Sequence, residues 1–213
     1  MKVIIIDVLV DHLVWEQLIK FGVEIVDGVA MTAELASWSG WQKLDPATAL
    51  LVFPGNGASI VRGYIPEKWL NRWQWVGVHA KRYWKPGEEP QVVANRIFPE
   101  RLILGVKDVV VIDDVFSSGK TARLLRQLNE PWFPGAEWHA VAWIKQRSAS
   151  LRGFASSYAV VEVGTVEKKV PVNSLSTLLA DQSIAESYAW RNLADPNEFL
   201  QLLAEIRAGQ GGK

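Results

Sequence analysis

The chain has no cysteine among its 213 residues. That excludes disulfide scaffolds and thiolate metal centres, and it fits a reducing, cytoplasmic setting. Neither sign of charge is in surplus: 23 Lys+Arg balance 23 Asp+Glu, for a net charge of zero. A nucleic-acid wrap or an anionic-membrane binder draws on a basic excess, so neither partner is expected. Long hydrophobic runs are also missing. The apolar start, KVIIIDVLV at 2–10, is interrupted by Asp7 and followed by no small-residue cleavage site. It reads as a first strand, not as a signal peptide or a membrane span. There is no internal repeat and no low-complexity linker. The three histidines, His12, His79 and His139, lie in separate segments without metal-ligand spacing, and structural roles are expected for them.

Apolar residues make up 49% of the chain, enough to build the core of one sizeable α/β domain. Eleven tryptophans are read as bulky core and interface filler. Strand-like and helix-like segments alternate. Strands are expected at 2–10, 23–29, 48–54, 73–84, 109–112, 139–146 and 158–164. A helix capped by Asp11 follows the first strand. The segment 31–43 fits either a helix or an irregular stretch. After Pro54 comes a Gly-Asn-Gly turn and a helix interrupted near Pro66. The polar, proline-punctuated segment 85–105 reads as a long loop or a β-hairpin arm. The chain from Ser174 onward is helical in pattern, with a frayed end. Such alternation predicts a mostly parallel sheet flanked by helices.

The most informative stretch is VVVIDDVFSSGKTARLL, 109–125. Four apolar residues have the character of a central parallel strand, and Asp113 and Asp114 stand at its carboxyl end, where open α/β sheets bind ligands. Small residues follow, and Thr121, Leu124, Leu125 and Leu128 then recur at helical spacing. Ser117, Ser118, Gly119, Lys120 and Thr121 therefore sit at a helix N-terminus, where unpaired amides and the helix dipole favour a phosphate. Ionised carboxylates only accept hydrogen bonds, so the acidic pair suits sugar hydroxyls or a magnesium shell. A phosphate site beside a diol acceptor describes a ribose 5-phosphate. Two other motifs fail. A Walker A loop needs a glycine where Asp114 stands, and a dinucleotide fingerprint beginning at Gly55 needs a third glycine where Ile60 stands.

With those residues set out, VVVIDDVFSSGKT resembles the 5-phosphoribosyl 1-pyrophosphate (PRPP) motif of type I phosphoribosyltransferases. PGNGAS, 54–59, resembles that family's pyrophosphate-binding turn, and WVGVHAKRYWKPGEEP, 75–90, its strand leading into a flap. The resemblance runs in order over about 50–145 and implies a type I phosphoribosyltransferase, Rossmann-like α/β core with a small hood. It would be a single domain spanning 1–213, with the core at about 45–170 and the hood from about 1–45 and 171–208.

The resemblance implies transfer of 5-phosphoribose from PRPP to a nucleobase or related acceptor, with release of pyrophosphate. Asp113, Asp114, Val115, Phe116, Ser117, Ser118, Gly119, Lys120 and Thr121 would bind PRPP. Gly55, Asn56, Gly57, Lys81 and Arg82 would bind pyrophosphate. Asp113, Asp114, Lys81 and Arg82 would be the catalytic set, and Asp113 and Asp114 would meet Mg2+ through water or PRPP. A homodimer is implied as well. Asn56 stands where the family's turn often carries a basic residue, which leaves the cation to Lys81, Arg82, Arg62 or the flap, or else implies weak binding of pyrophosphate. Ser117 stands where 6-oxopurine enzymes commonly have an aspartate, and Phe116 is bulkier than the usual aliphatic. Tyr188 and Trp190 are candidates for stacking on the acceptor. Two further classes stay open: a non-catalytic PRPP-sensing regulator on the same fold, and a structural or assembly protein.

Overall fold

The computed structural model describes residues 1–83, 91–95 and 105–210. In chain order the elements begin with β1 (Val3–Ile6), α1 (His12–Ile19), β2 (Glu24–Asp27), α2 (Gly28–Leu35), β3 (Ala49–Pro54), α3 (Gly55–Tyr64), α4 (Glu67–Leu70) and β4 (Gln74–Val78). Next come β5 (Ala80–Tyr83), β6 (Gln91–Ala94), β7 (Asp108–Phe116), α5 (Lys120–Asn129), β8 (Glu137–Gln146) and β9 (Ser156–Val163). The last are β10 (Val172–Ser174), α6 (Leu175–Ala180), α7 (Gln182–Asn192) and α8 (Pro196–Gln210). They form two compact units, Met1–Ala30 with Lys169–Lys213, and Met31–Lys168.

The larger unit is built on a five-stranded sheet in the order β4-β3-β7-β8-β9, with every neighbouring pair parallel. Helices flank the sheet, as the alternating pattern predicted. A parallel strand packed on both faces needs apolar side chains on both. All six residues of β3 are buried, and Val109 to Ile112 of β7 are completely so. One core cluster joins Leu50, Val52, Val109, Val111 and Ala140 of the sheet to Ala122 and Leu125 of α5.

Several boundaries differ from the sequence reading. The run 73–84, read as one strand, divides at His79. β4 is parallel to β3 only as far as Pro54↔Val78, because β3 ends there. The chain beyond pairs antiparallel with β6 as a two-stranded ribbon, Ala80↔Ala94 to Tyr83↔Gln91. The expected hairpin arm is therefore present where 91–95 are concerned, while 84–90 and 96–104 lie outside the described residues. In 31–43, α2 ends at Leu35 and a 3-10 turn follows at Ser39–Gln42. Buried Trp41 anchors that turn by donating its indole N–H to Leu35 O at 2.9 Å. Trp41 packs edge-on against Trp38 and Trp69, with centroids 4.9 and 5.1 Å away. Trp41 thus has the filler role expected of the tryptophans, whereas Trp75, Trp132 and Trp190 are exposed.

In the smaller unit β10, β1 and β2 form a three-stranded parallel sheet. β1 stops at Ile6 instead of running on to residue 10. Asp7 ends it: its carboxylate is buried and accepts from Ser176 N at 2.8 Å, in the first turn of α6. Asp11 caps α1 as expected, accepting from Leu13 N at 2.9 Å. The sheet's apolar residues Ile4 and Ile6 pack with Leu178, Tyr188, Phe199 and Leu203 from the helical tail.

Candidate functional site

β7 brings the acidic pair to the carboxyl end of the central sheet. The strand continues through Asp113 and Asp114 to Phe116, further than the apolar run suggested. Successive strand residues leave opposite faces, so the pair is not held side by side by backbone geometry alone. Local hydrogen bonds turn both carboxylates forward along the chain. Asp114 N donates to Asp113 Oδ1 at 3.0 Å, and Val115 N donates to Asp114 Oδ1 at 2.7 Å. Both aspartates are partly buried, as is Val115, whereas Phe116 is buried in the core.

The small-residue loop is short. Ser117 and Ser118 lead to Gly119, which caps α5 in the left-handed region at φ 71°. That conformation strains any residue with a Cβ. A Cβ there would also overlap the Ser150 carbonyl oxygen. Ser118 Oγ accepts from Lys120 N at 3.3 Å. Arg123, one turn into α5, donates to Ser118 O at 3.0 Å and to Ser150 O, while Ser150 N donates to Ser118 O at 3.3 Å. The β8–β9 connection is thus strapped against the loop ahead of α5. Arg123 has no place in the sequence motif, and only the tertiary contact reveals its role.

Gly55, Asn56 and Gly57 form the first turn of α3 instead of a turn preceding it. Their amides therefore sit at a helix N-terminus as well. Gly55 has φ 69°, and a Cβ on it would lie 2.5 Å from Ala80 O, next to Lys81. A Cβ on Gly57 would overlap the Asp114 carboxylate. The fold thereby brings together Gly55, Gly57, Asp114 and the start of β5. Lys81 lies in β5 and its side chain is exposed; Arg82 follows in the same strand. These two basic residues belong to the antiparallel ribbon and do not extend the main sheet.

Lys145 was not singled out by the sequence reading. It pairs in register with Phe116 at the carboxyl end of β8 and forms an ion pair with Glu162. The signal was present: a lysine directly after an apolar strand run, at the sheet end where ligands bind. The stacking candidates separate clearly. Trp190 is 62% exposed, whereas Tyr188 is 3% exposed and packs on Phe199 at 5.9 Å. A ring enclosed in that way cannot stack on a base, which corrects the expectation for Tyr188.

A central parallel sheet with a strand–loop–helix segment and an acidic pair at its carboxyl end defines an open α/β fold of the kind that binds ligands beyond its strand ends. Among solved structures it resembles the Helicobacter pylori xanthine-guanine-hypoxanthine phosphoribosyltransferase, with TM-score 0.51 and 13% identity over 70% of this chain and 87% of that one. A hypothetical protein from Neisseria gonorrhoeae with bound ppGpp aligns at TM-score 0.46 and 14% identity, over 84% and 91% of the two chains. A purine phosphoribosyltransferase from Pyrococcus horikoshii aligns at TM-score 0.44 and 13% identity, over 82% and 93%. No protein-family model and no curated protein matches the sequence. This chain has the type I phosphoribosyltransferase fold. No helix among the described residues is long and apolar enough to cross a membrane.

Proposed function

We propose that the chain binds PRPP at the carboxyl ends of β3 and β7 and transfers its 5-phosphoribosyl group to a nucleobase or related nitrogenous acceptor. The observation that carries this reading is the packing of Gly57 against the Asp114 carboxylate. It sets the N-terminus of α3 beside the acidic pair, and the loop ahead of α5 follows on the same strand. Two helix N-termini flanking a pair of carboxylates match a ligand with a phosphate at one end, a pyrophosphate at the other and a diol between them.

Ser117 to Thr121 hold the 5-phosphate in this assignment, through the amides of Ser118, Gly119 and Thr121 and the Ser117, Ser118 and Thr121 hydroxyls, since Ser117 N donates to Val115 O and Lys120 N to Ser118 Oγ. Asp113 and Asp114 accept hydrogen bonds from the ribose 2- and 3-hydroxyls. Gly55, Asn56 and Gly57 offer amides to the pyrophosphate, with Lys81 and Arg82 as the neighbouring cations. The acceptor nitrogen forms a bond to the anomeric carbon as the carbon–oxygen bond to pyrophosphate breaks, and the acceptor's N–H proton passes to solvent. As the ring gains positive character, the fixed negative charge of Asp113 and Asp114 stabilises it electrostatically. The all-oxygen donor set of Asp113 and Asp114 fits Mg2+, reached through water or PRPP. When bound, that ion disperses charge on the departing pyrophosphate. A homodimer, a cytoplasmic setting and a hood built from both termini belong to the same reading.

The test is a panel of nucleobases incubated with the protein, PRPP and magnesium, monitored for released pyrophosphate. Base-dependent release supports a transferase. Tight PRPP binding without turnover on any acceptor would favour a PRPP-sensing protein instead, and absence of PRPP binding would overturn both readings.

A further inference from the structure

The opposite end of the same sheet carries a second constellation. Asp108 opens β7, Glu137 opens β8, and the two are direct register partners. His139 lies two residues further along β8, on the same face as Glu137. One donor atom from each of Asp108, Glu137 and His139 lies within 4.8 Å of the others. His139 Nε2 is 3.1 Å from Asp108 Oδ1, and its Nδ1 is 2.8 Å from Ser156 Oγ. The imidazole is 8% exposed, and a cleft of about 250 Å³ opens beside it, lined also by Trp38, Lys43 and Ser156.

We propose that Asp108, Glu137 and His139 form a binding site for a divalent first-row metal ion, separate from any magnesium that accompanies PRPP. Like charges directly opposite each other on neighbouring strands destabilise a sheet, and Asp108 faces Glu137 in that way. A divalent cation between them removes the repulsion. The histidine has the arrangement typical of a ligand: one ring nitrogen is held by a neighbouring hydroxyl, which fixes the ring while the other nitrogen faces the carboxylates. One nitrogen and two carboxylate donors without sulfur suit Zn2+ or Mn2+. Donor atoms around one such ion lie at most ~4.2 Å apart. The set therefore needs only a small inward rotation of Glu137, its exposed member. The cleft leaves room for water as a further ligand, and Lys43 is the other charged residue on its wall.

The constellation is distinct from the PRPP site. Asp108 and Asp113 are five residues apart on one strand, which is about 16 Å at the usual rise. Ligand spacing along the sequence could not reveal it, because Asp108 comes from β7 and Glu137 and His139 from β8, with Ser156 on a third strand.

The full-length chain, stripped with a chelator and kept free of PRPP and magnesium, is titrated calorimetrically with ZnCl2 and separately with MnCl2. The proposal expects one ion per chain for at least one of the two metals. His139→Gln and Glu137→Gln should each weaken binding at least tenfold, and Ser156→Ala by about tenfold or more. The Asp113→Asn/Asp114→Asn double variant should bind as the parent does. Lack of stoichiometric binding by the parent chain overturns the proposal. So does unchanged affinity in both single ligand variants, or loss of binding confined to the double variant. Circular dichroism melts accompany each titration. Should His139→Gln fail to fold, the exposed Glu137→Gln decides the matter.

Discussion

Gly57 lies flush against the carboxylate of Asp114, so closely that a methyl group on Gly57 would overlap it. The contact joins the first turn of α3 to the strand that carries the acidic pair. Replacing Gly57 by alanine must displace one of the two. Local overpacking of this kind costs about 1–3 kcal/mol. Gly57→Ala should remain folded with a lowered melting temperature and should bind PRPP at least tenfold more weakly by titration calorimetry. Unaltered PRPP affinity would separate α3 from the site.

The acidic pair is partly buried at the strand tip and is held in place by the amides that follow it. Asn at both positions preserves shape and removes the charge. The Asp113→Asn/Asp114→Asn variant should melt near the parent temperature. Its PRPP affinity should fall by more than about a hundredfold, since hydrogen bonds to charged groups contribute roughly 1.5–3 kcal/mol each. Equal binding by the variant would refute the site assignment.

Gly119 meets two independent constraints, a φ of 71° and the nearby Ser150 carbonyl. A left-handed conformation alone costs an ordinary residue about 1–2 kcal/mol, and asparagine tolerates it better than alanine. The carbonyl excludes any Cβ. Gly119→Ala and Gly119→Asn should therefore both be destabilised in chemical denaturation, and both should lose phosphate-loop binding of PRPP. Full recovery in Gly119→Asn would show that dihedral strain alone makes the glycine necessary.

The Tyr188 hydroxyl is buried in the core of the smaller unit, without a hydrogen-bond partner among the described residues. Burial raises its pKa above the ordinary value by desolvating the phenolate. In the unfolded chain the phenol ionises near pH 10. Above that pH the unfolded state binds fewer protons than the folded one, so the smaller unit loses stability as pH rises. Tyr188→Phe removes an unsatisfied buried group and should stabilise the protein at pH 7 by up to about 1 kcal/mol. The variant should also lose part of the alkaline dependence of its melting temperature. A destabilised Tyr188→Phe would mean that the hydroxyl has a partner in solution.

Much of the site could be read from local pattern because its chemistry is local. The apolar run 109–112, the two acids and the small-residue loop follow one another without a gap, so strand, acidic pair and helix N-terminus were all visible in one stretch. The strand alternation likewise announced a parallel sheet. Strand ends were less legible. Where β4 stops depends on where its neighbour β3 stops, at Pro54, and no residue between Val78 and Ala80 declares that. Asp7 ends β1 through a contact with Ser176, far away in sequence.

The order of residues by itself determined which segments would be buried strands, where an acidic pair would meet a helix N-terminus, and that sulfur chemistry was excluded. Those properties depend on neighbours within a few positions. Tertiary structure alone decided that Gly57 abuts Asp114, that Arg123 and Ser150 brace the loop ahead of α5, and that Asp108, His139 and Ser156 converge at the other end of the sheet. Parallel pairing places residues from distant strands within a hydrogen bond of one another, and no short-range pattern encodes which strands become neighbours.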